Sequence, residues 1–169
     1  MLSVSCVVVP ALLCCLGCGA PAPSEADSLL WVENATFEAG AISTLANAGG
    51  PSVIEHYTRA TWLTPGQRGR ILTGTLAAGS VALLLGLEGD SGHWILPASA
   101  PNTWSPDQPT FSAQLGLSRA MMPGEAQLHL VAVDAEVRAG PATLVPLTVL
   151  AATPAEGQVV VTLSWDSDS

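Results

Sequence analysis

Phe111, Ala113, Leu115 and Leu117 alternate with Ser112, Gln114, Gly116 and Ser118. An apolar–polar period of two puts every apolar side chain on one face of an extended chain, so this stretch is a half-buried strand. Such a strand needs partners, and the chain from residue 69 onward supplies them. Residues 70–76 read as a strand ending at Ala77-Ala78-Gly79. Val81, Leu83, Leu85 and Leu87 share one parity, but Ala82 and Leu84 are apolar too, which predicts a strand buried on both faces at its centre. Glu88-Gly89-Asp90-Ser91-Gly92 is a tight connection to a return strand, Trp94-Ile95-Leu96, stopped by Pro97. Residues 97–109 hold four prolines and no period, which predicts a loop. Pro123-Gly124 is a turn signal, and two further strands, 128–133 and 144–150, are joined by a hairpin loop over 134–141. No amphipathic helix stands between these runs, so the fold class is all-β, a sandwich or a barrel.

Residues 29–68 are harder to read. Leu29-Leu30-Trp31-Val32 predicts a first strand, and Asn47-Ala48-Gly49-Gly50-Pro51 marks a loop. Val53 to Leu63 suits a strand better than a short helix, because Thr58, Thr61 and Trp62 favour extended backbone. At the other end, residues 151–157 read as a linker. Val159, Val161, Leu163 and Trp165 then alternate again, so residues 158–169 form an extra strand. Two outcomes stay open for it: it closes the sandwich, or it opens a second β-domain truncated after Ser169.

The run Val131-Ala132-Val133-Asp134-Ala135-Glu136, followed by Gly140-Pro141, resembles the last hairpin of bacterial immunoglobulin-like or fibronectin-III-like modules. Val137 stands where such modules often have glycine. The resemblance implies an immunoglobulin-like antiparallel β-sandwich over residues 29–150. Leu163-Ser164-Trp165-Asp166 resembles the opening strand of an uncharacterised bacterial β-domain. The four cysteines are Cys6, Cys14, Cys15 and Cys18. None lies in the sandwich region, so an antibody-type disulfide core is excluded, and the fold must hold without the cross-links common in small secreted domains.

The cysteines belong instead to a leader. Leu2 to Leu16 carries no charged side chain, and Val7 to Leu13 is apolar except for Pro10. That run is shorter than the roughly 20 apolar residues a spanning helix needs, and it fits the apolar core of a secretion signal. Leu16-Gly17-Cys18-Gly19 resembles the lipobox of bacterial lipoproteins, with Cys15 at the position usually held by Leu. The resemblance implies that residues 1–18 are a lipoprotein signal peptide with its lipidation site. Cys18 would be acylated and hold the protein to the cell envelope. Gly19, where the family uses Asp for inner-membrane retention, implies the outer membrane or the cell surface. Residues 19–28, Ala, Pro, Ser and acidic residues, then read as a flexible tether.

Fourteen acidic residues against five basic ones, all arginine, leave a net charge of −9. That balance argues against nucleic acid or anionic lipid as a partner. Gly89-Asp90-Ser91-Gly92 matches the nucleophile tetrapeptide of trypsin-like serine proteases. The chemistry needs a base and an orienting carboxylate, and only His56, His93 and His129 are on offer. The ordinary reading is a hairpin turn, whose residue types these are, so no catalytic residue is assigned. The histidines lack ligand spacing, so no metal site and no cofactor is expected. His129, between Leu128 and Leu130, is expected on a solvent face. Asp134 with Glu136, and Asp166 with Asp168, put carboxylates on one side of a strand, as calcium favours, but a solvated acidic loop is the more ordinary reading. Trp104, in the proline-rich loop, is the candidate ligand contact, since an exposed tryptophan stacks on sugar rings or anchors a partner. The expected function is a non-enzymatic envelope lipoprotein acting as a structural or interaction module. Its expected partners are the membrane, through Cys18, and an envelope protein or glycan. The alternative is a ligand-binding module, for carbohydrate; a secreted hydrolase is third.

Overall fold

The computed structural model describes residues 24–42, 45, 49–59, 61–103 and 105–151. Among them are ten strands: β1 (Leu30–Val32), β2 (Thr36–Ala39), β3 (Val53–Thr58), β4 (Trp62–Leu63), β5 (Arg70–Leu76), β6 (Ser80–Leu87), β7 (Gly92–Pro97), β8 (Thr110–Leu117), β9 (Gly124–Asp134) and β10 (Thr143–Val149). The alternation that defines β8 decides its packing. Phe111, Ala113, Leu115 and Leu117 are all buried, while Ser112 and Gln114 are exposed. The same parity rule turns Leu72 and Leu76 of β5, Leu83, Leu85 and Leu87 of β6, and Leu128, Leu130 and Ala132 of β9 into one shared core.

That core lies between two sheets, ordered β1-β8-β5-β3 and β2-β7-β6-β9-β10-β4. Neighbours are antiparallel except β4, which runs parallel to β10. The arrangement is an all-β sandwich in immunoglobulin order. Strands β3, β5 and β8 occupy the A, B and E positions, and β7, β6, β9 and β10 the C′, C, F and G positions. The D position beside β8 is filled by β1, from the start of the domain. The segment that would normally supply D is 97–109, and its prolines remove the N–H donors that a ladder strand needs. It makes isolated bridges instead, at Ser99–Thr110 and Asn102–Ser105.

Two features go beyond the sequence expectations. β2 is a strand that the pattern did not announce, because Phe37 is its one large apolar residue. Phe37 meets Trp94 edge to face, with ring centroids 5.6 Å apart. Asn34, at φ 58°, turns the chain between β1 and β2 and sends the two strands to different sheets. The second feature is a small core on the outer face of the larger sheet. Ile42, Leu84, Val131, Val133 and Ala139 form it, which accounts for the apolar residues of both parities in β6. Backbone hydrogen bonds flank Ile42 on both sides in the sequence. Gly40 N–H donates to the Ser91 carbonyl at 2.8 Å, and Gly50 N–H donates to the Ala139 carbonyl at 3.1 Å. Gly140 abuts the Pro51 carbonyl with no room for a Cβ.

Val137, in the β9–β10 loop, has φ 62° and is 81% exposed. A β-branched residue in the left-handed region costs roughly 1–2 kcal/mol, part of which glycine would return as chain entropy in the unfolded state. Val137→Gly is therefore expected to stabilise the protein by about 0.5–1 kcal/mol, seen as a melting point raised by ~2–4 °C. A lower melting point would mean that the side chain contributes more than the strain removes.

Candidate binding groove on the outer sheet face

The outward positions of β7, β6 and β9 line up across the larger sheet. Ile95 pairs with Leu84 and Leu84 with Val131; Ala82 pairs with Pro97 on one side and Val133 on the other. Ile42 covers the middle of this surface, its Cγ2 3.0 Å from where a Cβ on Gly86 would stand. Beyond Ile42 the surface stays open. A groove of about 600 Å³ remains, walled by Leu45, Val81, Leu84, Ile95, Val133 and Val137. Val81 is 48% exposed, so the wall presents apolar area to water. A concave, mostly apolar cleft of a few hundred Å³ with a few polar groups is the usual form of a small-ligand site.

Three polar side chains also line the groove: Glu38, His93 and Asp134. Asp134 closes the β9–β10 loop. Its Oδ1 accepts from the N–H groups of Glu136 at 3.1 Å and Arg138 at 2.8 Å, and its Oδ2 accepts from Arg138 Nε at 2.8 Å. Desolvation pushes the Asp134 carboxyl up, but these donors and the Arg138 charge outweigh it and hold the group below the ordinary aspartate value. Glu136 also pairs with Arg138, at 3.3 Å. Asp134 and Glu136 are thus drawn into an ion-pair cluster. His93 Nδ1 lies 2.9 Å from the Gly40 carbonyl, and since a carbonyl only accepts, Nδ1 carries the hydrogen. The carboxylate of Glu38, opposite His93 across the β2–β7 ladder, has no ion-pair or hydrogen-bond partner among the described residues.

The protease-like tetrapeptide is a structural joint. Gly89 turns the β6–β7 hairpin at φ 80°. Asp90, 6% exposed, accepts at Oδ2 from Ser28 Oγ and from Leu29 N–H, each at 2.9 Å. Its other oxygen accepts from Ser91 N–H at 2.8 Å. Trp94 Nε1 donates to the Leu30 carbonyl at 2.7 Å beside this joint. Asp90 therefore fastens the start of the domain to the hairpin, and Ser91 is exposed.

The structure disperses the histidines. His56 is exposed on β3 in the smaller sheet. His93 and His129 face outward from the larger one, on β7 and β9; His129 pairs with Gly86 of the intervening β6, and the two histidines stand two strand spacings apart, roughly 10 Å. His129 departs from the expectation of a solvent face. It points away from the main core, yet both ring nitrogens are buried and lack a hydrogen-bond partner among the described residues. Both nitrogens are out of reach of water, which a two-residue period does not announce. Among the described residues no group of three His, Cys, Asp or Glu side chains is placed to share a metal ion.

Near the 97–109 loop, a second recess of about 490 Å³ is lined by Glu55, His56, Tyr57, Thr73, Asn102 and Ser112. Trp104 itself lies outside the described residues, as do Cys18, Asp166 and Asp168. The apolar groove was not anticipated from the sequence. Its signal was present in Ala82, Leu84, Val131 and Val133, apolar residues on the face that alternation assigns to solvent. No protein-family model matches the chain, and no curated protein matches it.

Proposed function

We propose that the protein is a non-enzymatic lipoprotein of the cell envelope, anchored through Cys18, whose sandwich serves as an interaction module working through the outer-face groove. The observation that carries this reading is the pairing of an open, apolar cleft with chemistry-bearing residues that are engaged elsewhere. Asp90 is engaged by Ser28 and Leu29, Asp134 by Arg138, and His93 by Gly40. A cleft with apolar walls recognises by burial of surface, and its walls stand on paired strands that hold their shape. The lipobox-like Leu16-Gly17-Cys18-Gly19 supports the envelope location.

The anchor is tested directly. A Cys18→Ala protein should fail to take up a palmitate analogue and should leave the membrane fraction for the soluble one. Unchanged labelling would sink the anchor.

A second reading, carbohydrate binding, is favoured by the recess beside the 97–109 loop. Tyr57 is 64% exposed there, among the hydroxyls of Thr73 and Ser112 and the amide of Asn102. An aromatic face with hydroxyl and amide partners suits a sugar ring.

A further inference from the structure

We propose that the outer-face groove binds a small amphiphilic amine, with its apolar body against Val81, Leu84, Ile95 and Val133 and its ammonium group beside the Glu38 carboxylate. This deepens the reading of the groove as the interaction site and rests on it. The argument starts from charge. Of the three polar side chains on the wall, Asp134 is compensated by Arg138 at 2.8 Å. His93 spends its Nδ1–H on the Gly40 carbonyl. The Glu38 carboxylate has no ion-pair or hydrogen-bond partner among the described residues, so it is the wall's uncompensated charge. A fatty acid or another anionic amphiphile would bring its charge to that carboxylate on a chain of net charge −9. A neutral apolar ligand would strip water from Glu38 without replacing it, which costs free energy. An apolar cation avoids both penalties and adds a charge-assisted hydrogen bond.

Size and strain agree with this. About 600 Å³ lies in the range of clefts that enclose ligands of drug size rather than a protein surface. Val137 keeps a bulky apolar side chain on the groove wall at φ 62°, a conformation costly for valine. A residue held against its preference at the edge of a cleft is the kind of outlier found at ligand sites.

The test is calorimetric titration of hexylammonium and 1-hexanol into the full chain carrying Cys18→Ala, which bears no acyl group. Hexylammonium is expected to bind about fivefold more tightly than 1-hexanol, the upper range for a partly exposed ion pair. Glu38→Gln should erase that preference and leave the affinity for 1-hexanol unchanged. Val81→Trp should weaken both ligands by filling the groove, and Ala135→Trp, on the β9–β10 loop side of the same wall, repeats the test should the first variant melt early. Equal affinity for the two ligands, or a preference that survives Glu38→Gln, overturns the amine proposal and leaves the groove reading standing. Binding of neither ligand, or binding indifferent to both tryptophans, overturns both.

Discussion

Replacing Asp90 with alanine is expected to destabilise the protein by about 3 kcal/mol, which corresponds to a melting point lower by ~10 °C. The reason lies in what the carboxylate holds. Ser28 Oγ and Leu29 N–H both donate to Oδ2 at 2.9 Å, and Ser28 is 6% exposed. Alanine leaves Leu29 N–H without this acceptor and takes the charged partner from Ser28 Oγ, whose one hydrogen then has the Leu30 carbonyl at 2.7 Å. It also unfastens the segment leading into β1, whose Leu30 and Val32 close one end of the core. Ser91→Ala, one residue on, is the control. Ser91 is exposed, so its loss should fall within about 0.5 kcal/mol. Equal melting points for the two variants would show that Asp90 is not the joint described.

That contrast shows how far residue types carry. Gly, Asp and Ser between two apolar runs announced a turn, and the turn is there. Nothing in the tetrapeptide announced that its aspartate reaches back 62 positions to Ser28. The larger pattern behaved likewise. In β5, β6 and β8 the core is read directly from alternation, because one face is buried and the period is two. β1 was visible as Leu30-Trp31-Val32, but its place beside β8 depends on the prolines of 97–109 denying that edge to a local strand. β2 was hidden because an edge strand with one large apolar residue has no period to display.

The groove was partly legible. Apolar residues at Ala82, Leu84, Val131 and Val133 break the alternation, and the burial of both faces expected at the centre of β6 is there, with Leu83, Leu84 and Leu85 all buried. Burial on that face comes in part from Ile42, in a stretch whose sequence gives only loop signals. His129 differs too: its parity is right for the outer face, but its ring nitrogens are buried there. The charge argument at Glu38 needs the β2–β7 register and the Asp134–Arg138 pair, and both are long-range or loop geometry that no period encodes.

Ile42→Ala is expected to cost about 3 kcal/mol, as large-to-small substitutions do at sites that cannot collapse. Ile42 is 2% exposed, although it comes from a loop and lies outside the sandwich core. Its neighbours Leu84 and Val131 are fixed in the β6–β9 ladder and cannot move in to fill the space. Leu45, whose N–H donates to the Ile42 carbonyl at 3.1 Å, sits on the same turn but is 38% exposed. Leu45→Ala should therefore cost less than about 1 kcal/mol. Urea denaturation of the two variants separates the possibilities. A large loss for Ile42 alone means the segment is held down by this one side chain against the sheet. Equal, small losses would mean that the outer cluster contributes little, and that the groove beside it has a movable wall. The difference bears on binding, since a ligand site bounded by a loop is shaped only as firmly as that loop is pinned.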